Sequence, residues 1–352
     1  MDYIEIQGFK SIREAHIDIK PINILIGANG AGKSNFISFF EFFDNLYNQR
    51  TKAYVNSNGG FEKFLYGGPK VTKLLNASLS FNNNQNAYSF SLGRGEDEFV
   101  FASEKLWYMG NSWEISSYDE KAEIKTNSLY RSKYIRRHLD SFKKYHFHDT
   151  GKQSPFSSMS NIENDIYFLY EKGENLAAFL FNIQKTNIII YNRIIKTIQN
   201  IAPYFSDFFF QPNQEGYLRL QWQDKFNSTV YGASNLSDGT IRFIALTTLF
   251  MQPNLPATLI IDEPELGLHP TAIGKLSGMI EAAASKGTQV IIATQSTDLI
   301  SYFTPEDIIT VDQIDGASIF NRLNEDDFTE WMNDYTMGEL WKRNILQGGQ
   351  PS

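Results

Sequence analysis

The chain has 352 residues, 42% of them hydrophobic, enough to bury a sizeable core in one large α/β domain with an insertion or in two domains. It contains no cysteine, which excludes disulfides, thiolate zinc sites and a cysteine nucleophile and fits a cytoplasmic setting. A formal net charge of −8 means that the surface as a whole does not attract nucleic acid, so any such contact must come from a local patch.

Met1–Ile6 alternates like a strand and has no signal-peptide pattern. No apolar run reaches the ~18 residues of a membrane helix, so a cytoplasmic protein without membrane contact is expected. Ile22–Ile26 is apolar except for Asn23 and suits a buried parallel strand. Lys33–Tyr47 reads as a helix with phenylalanines on its inward face, and Leu74–Phe81 and Ala87–Leu92 read as an antiparallel pair. Residues 100–230 read as a mostly helical insertion, with helices near Leu176–Ile183 and Ile189–Ile201 and no sustained heptads, which argues against a long coiled-coil arm. From Asn235 onward the predicted elements are helix Thr240–Phe250, strand Thr258–Ile261, helix Ala272–Ala284, strand Gln289–Ala293 and a last strand near Ile308–Val311. The expected division is therefore 1–99, 100–230 and 231–352.

Gly27-Ala-Asn-Gly-Ala-Gly-Lys-Ser34 matches G-x-x-x-x-G-K-[ST] between a predicted strand and a predicted helix. The glycines let backbone N–H groups face phosphates, and the helix start adds partial positive charge. Lys33 is expected on the β/γ-phosphates and Ser34 on Mg²⁺, with Asn29, Gly30, Gly32 and Asn35 completing an ATP-binding loop. Thr258–Pro264 is an apolar strand that ends in two acids. Asp262 is expected to hold the Mg²⁺ shell and Glu263 to polarise the attacking water; a solvated acidic turn is the plainer reading. Leu236-Ser-Asp-Gly-Thr240 resembles the ABC signature, usually LSGGQ, which caps the γ-phosphate of the other subunit in ABC dimers. By that resemblance Ser237 and Gly239 touch nucleotide; taken alone, Ser237 is an ordinary helix N-cap. Gln295, after the strand Gln289–Ala293, stands where transport-type ABC proteins have a histidine and is expected to act with Glu263 and Lys33 in catalysis.

Together these residues resemble the AAA-type ATPases of the ABC/SMC superclass, relatives of the RecF and OLD heads and of the AbiL-like phage-defence subgroup. The likeness takes in Gly8–Ser11, Tyr145–Thr150, Leu236–Arg242, Asp262–Pro270, Met337–Asn344 and Gly348-Gly349. It implies an α/β P-loop NTPase head of ABC/SMC-like type, with an antiparallel β lobe and a helical insertion, working as a homodimer with ATP sandwiched between heads. It further implies a D-loop at Glu265–Pro270 with His269 near the opposite site (or simply at a helix start), a basic residue at Lys10 that reaches phosphates, and an acid, Asp238, close to the γ-phosphate that slows hydrolysis or makes it partner-dependent. Relatives are often encoded beside a TOPRIM-like nuclease in antiviral cassettes. The stretch from Thr294 to Ser352 is too short for such a domain, so a nuclease effector is expected on a separate chain. Arg131, Lys133, Arg136, Arg137, Lys143 and Lys144 could grip DNA, dock an acidic partner or form a solvated face. His146, His148 and Asp149 read as hydrogen-bonding residues rather than metal ligands. The competing functions are a RecF-like repair or maintenance ATPase without an effector, and a transporter motor, which the long insertion and Gln295 disfavour.

Overall fold

The computed structural model describes residues 1–95 and 99–346, which fall into two compact units, 1–142 with 291–346 and 143–290. In chain order the first stretch holds β1 (Tyr3–Phe9), β2 (Ile12–Asp18), β3 (Ile22–Ile26), α1 (Lys33–Tyr47), α2 (Thr51–Ser57), β4 (Leu75–Phe81), β5 (Asn86–Arg94), β6 (Phe99–Tyr108), β7 (Asn111–Ser116) and α3 (Tyr130–Leu139). After β8 (Phe142–Tyr145) come β9 (Ser160–Asn161), α4 (Leu176–Thr186), α5 (Ile188–Ile201), β10 (Phe205–Phe208), β11 (Tyr217–Leu218), β12 (Gln221–Asp224), β13 (Val230–Gly232), α6 (Asp238–Met251), β14 (Thr258–Asp262) and α7 (Pro270–Ser285). The strand β15 (Gln289–Ala293) returns the chain to the first unit, which ends with α8 (Thr297–Ile300), β16 (Ile308–Ile314), β17 (Ala317–Arg322) and α9 (Met337–Lys342).

In the first unit β2-β1-β4-β5-β6-β7 form an antiparallel sheet, and β16 lies between β3, parallel to it, and antiparallel β17. β3 is buried along its whole length, and its one polar residue, Asn23, donates through Nδ2 to Lys20 O (2.7 Å). Helix α1 buries Phe36, Phe39, Phe40, Phe42 and Phe43. The ring of Phe9 packs on them, 5.4 Å from Phe39 and 5.5 Å from Phe42, and so ties the β1–β2 turn to the helix.

The boundary expected at residue 99/100 falls inside the antiparallel sheet, because β6 starts at Phe99 and pairs with β5 along its length. Residues 100–230 therefore mix strands β6 to β13 with helices α3 to α5, and the compact units divide at 142/143 and 290/291 instead. β16 is not the last strand: β17 follows through Asp315-Gly316, both at positive φ (51° and 77°), the tight hairpin turn that such a pair favours. Gly348-Gly349 lies outside the described residues. Among the described residues the longest helix is α7, with 16 residues, and no helix is long and apolar enough to cross a membrane.

Candidate functional site

The loop Gly27–Gly32 joins the buried strand β3 to the N-terminus of α1. Gly30 and Gly32 take φ of 82° and 118°, the left-handed backbone that a tight anion-cradling loop uses. Gly27 has no room for a side chain, because an added Cβ would overlap the carbonyl oxygen of Val311 on β16. At Gly32 it would overlap Ser318 on β17. Ser318 Oγ donates to Ala31 O (2.6 Å) and shares a 2.7 Å hydrogen bond with Ser11 Oγ, which accepts from Asn35 Nδ2 (2.7 Å). Asn35 thus braces the loop against the β1–β2 turn. Lys33 is 5% exposed, and its Nζ donates to Gly27 O (2.6 Å) and Ala28 O (3.0 Å). Asn29, Gly30 and Ser34 are exposed around it. Lys10 donates to Ser38 Oγ (2.9 Å), one turn inside α1. Thr294 N donates to Leu25 O (3.0 Å), which sets the residue before exposed Gln295 against the strand that leads into the loop.

In the second unit Ser237 caps α6, its Oγ accepting from Thr240 N (3.2 Å), with Ser237 and Asp238 exposed at the helix start. Gly239 is required there: a Cβ would overlap the carbonyl oxygen of Gly267 in the turn after β14. Arg242, one turn into α6, is buried, and its guanidinium donates to Phe147 O (2.9 Å), His148 O (3.1 Å) and Leu266 O. Burial pulls its pKa down, and Asp238 and Glu265 push it back up. His148 Nε2 donates to Asp262 O at 3.0 Å, and its ring lies 4.0 Å from that of His146. Asp262 ends β14, and Glu263 begins the following turn at φ 42°, with Leu266 N donating to Glu263 O at 3.2 Å. His269 is the N-cap of α7: its Nδ1 accepts from Thr271 N at 3.3 Å, with Pro270 at the first helical position.

Within each unit the structure thus assembles part of the expected set, Asn29–Asn35 with Gln295 in the first, Ser237, Gly239, Asp262 and Glu263 in the second. Sequence reading gave His148 a hydrogen-bonding role without naming its partner, Asp262 O, and gave no role to Arg242, Ser11 or Ser318. A lone arginine in the apolar run Ile241–Phe250 was the one visible signal, since a buried guanidinium must find carbonyl partners. The basic stretch resolves unevenly. Arg136 Nη1 donates to Ile124 O (2.8 Å) and Asn127 O (2.6 Å), Arg131 stacks on Trp113 (3.7 Å), and Lys133 and Arg137 are exposed.

Among the solved structures similar to this chain are two SMC heads. One is described as the crystal structure of the SmcHead bound to the C-winged helix domain of ScpA, with 17% identity, a TM-score of 0.62, and 94% of this chain and 99% of that one covered. The other is the Smc head domain with an extended coiled coil bound to the C-terminal domain of ScpA, derived from Pyrococcus furiosus, with 16% identity, a TM-score of 0.56 and coverage of 95% and 98%. Both show the fold, a P-loop ATPase head. No curated protein matches the chain. The family model described as "AAA domain, putative AbiEii toxin, Type IV TA system" matches residues 22–301, a span that runs from β3 through the P-loop, the signature-like helix start and the acids after β14. The chain belongs to that family, as an AAA ATPase of the ABC/SMC-like type.

Proposed function

We propose that the protein binds ATP on Gly27–Ser34 and hydrolyses it as a homodimer, with Ser237 and Gly239 of one copy capping the γ-phosphate held by the other. The observation that carries this reading is the loop itself: two glycines at positive φ, a buried lysine folded onto the loop carbonyls, and a 15-residue helix starting behind it. Lys33 exchanges those carbonyls for the β/γ-phosphate oxygens, and the N–H groups of the loop bind the rest. Glu263 accepts a hydrogen bond from the attacking water and orients it, and Gln295 offers its amide to the γ-phosphate. The hydroxyl of Ser34 and the carboxylate of Asp262 are hard oxygen donors suited to Mg²⁺, which would neutralise charge on the phosphates. Asp238 brings a negative charge to the cap, so basal turnover is slow.

The same reading gives the protein a partner. The family's description in terms of a toxin–antitoxin system, and the ScpA-bound SMC heads, support a head that works with a second protein. By resemblance to phage-defence ATPases we assign that role to a separate nuclease-like effector, gated by closing and reopening of two heads. Exposed Lys133 and Arg137 remain candidates for DNA contact. The test is nucleotide titration with turnover. Lys33→Ala is expected to lose tight ATP binding. Glu263→Gln is expected to bind ATP normally, to turn it over roughly 10²–10⁴-fold more slowly and to accumulate as a dimer. Wild-type affinity in the first variant, or wild-type turnover in the second, would overturn the assignment.

A further inference from the structure

The turn that carries Glu263 is held at both ends by groups to which hydrolysis, as outlined above, gives no task. At its exit, Arg242 donates to Leu266 O. At its entry, His148 Nε2 donates to Asp262 O at 3.0 Å. The two holds are linked, because the other donors of Arg242 go to Phe147 O (2.9 Å) and to the backbone oxygen of His148 itself (3.1 Å). Arg242 is 4% exposed, so these carbonyls are its main route to satisfying a buried charge.

The Asp262 carbonyl belongs to the peptide plane that enters Glu263, so its direction and the φ of Glu263 are set together. That φ is 42°, in a region that a non-glycine residue keeps only when its surroundings impose it. A hydrogen bond from a half-buried imidazole to this one carbonyl is such an imposition.

We propose that His148 is a positioning residue for hydrolysis: by holding the Asp262–Glu263 peptide it aims the Glu263 carboxylate, and Arg242 keeps His148 in place. This rests on the reading of Glu263 as the carboxylate that orients the attacking water. Without the imidazole the carbonyl loses this donor and the peptide can relax toward negative φ, which takes the carboxylate off its line to the water. Binding of ATP through Lys33 uses none of these groups.

The experiment compares the wild type with His148→Ala and His148→Gln, the second keeping an amide N–H that can reach the same carbonyl. His148→Ala is expected to lower kcat by roughly 10- to 100-fold with KM and ATP affinity unchanged, and His148→Gln to recover most of the loss. Amide exchange measured without nucleotide should accelerate in a peptide spanning 262–268 of His148→Ala, and the body of α7 should stay as protected as in the wild type. Unchanged exchange in that peptide, unchanged kcat, or an equal loss in the glutamine variant would each overturn the proposal. A wild-type protein that does not turn over ATP would sink the functional reading, and the exchange measurement would still decide whether His148 holds the turn.

Discussion

Glu104 sits fully buried in the antiparallel sheet of the first unit, where it accepts from Tyr88 OH (2.7 Å), Glu123 N (2.8 Å) and Ile124 N (3.0 Å). Burial raises its pKa above the ordinary 4.5, and these three donors offset only part of that shift. Between the ordinary and the raised value the folded state binds more protons than the unfolded one, so stability falls as pH rises through that window and is greatest below it. Glu104→Gln keeps the acceptor oxygen and removes the titration. Its midpoint of chemical denaturation is expected to vary less than that of the wild type between about pH 4 and about pH 8. The same pH slope in both proteins would mean that Glu104 ionises as freely when folded as when unfolded. Residues such as Glu104 mark the limit of what the sequence reveals at this scale. The places of Lys33, Ser34, Asp262 and Ser237 at a helix start, a strand end and a helix cap were legible because each lies in a short contiguous motif. Ser318 bonds Ala31 across 287 positions and Arg242 reaches Phe147 across 95, and no local pattern encodes such pairings.

At the scale of elements, α1, β3 and β15 were read to their observed ends, since period and burial agree along each. The losses were hairpins. β6–β7 turns at Met109-Gly110 and β16–β17 at Asp315-Gly316, each a residue and a glycine at positive φ, and the second is a turn signal visible in the sequence. β2 was missed because its buried positions, Ile12, Ala15 and Ile17, do not alternate regularly. His269 was expected either near an opposite active site or at a helix start, and it caps α7. Helix α9 carries a prediction of its own. Gly338 lies so close to α8 that an added Cβ would overlap Thr297 O and Ser301 Oγ. In an exposed helix Gly→Ala stabilises by about 1 kcal/mol. Here overpacking opposes it, and Gly338→Ala is expected to cost about 1–3 kcal/mol in urea denaturation. A gain in stability would show that α9 tolerates displacement from α8.

At the scale of the molecule, the P-loop and the signature-like helix start belong to different compact units of one chain. Sharing of sites between two copies can be tested by complementation. Ser237→Arg blocks the cap by bulk and spares the P-loop, and Lys33→Ala does the reverse. A mixed dimer then has one site with both lesions and one with neither, so mixing the two inactive proteins should restore part of the ATPase activity. No recovery, with mixed dimers demonstrated by differential tags, would argue that each copy hydrolyses alone. The brace formed by Ser318 under Gly32 and Ala31 has a consequence for biosynthesis. A nascent chain acquires its complete G-x-x-x-x-G-K-S motif at Ser34, long before β17 (Ala317–Arg322) is made. Until then Ala31 O and Ser11 Oγ lack their Ser318 partner, and the loop lacks the wall against which Gly32 is fitted. On the function proposed above, nucleotide would stabilise the unit only after that wall arrives, and ATP would act as a ligand of the folded unit and not as a nucleus for its cotranslational folding.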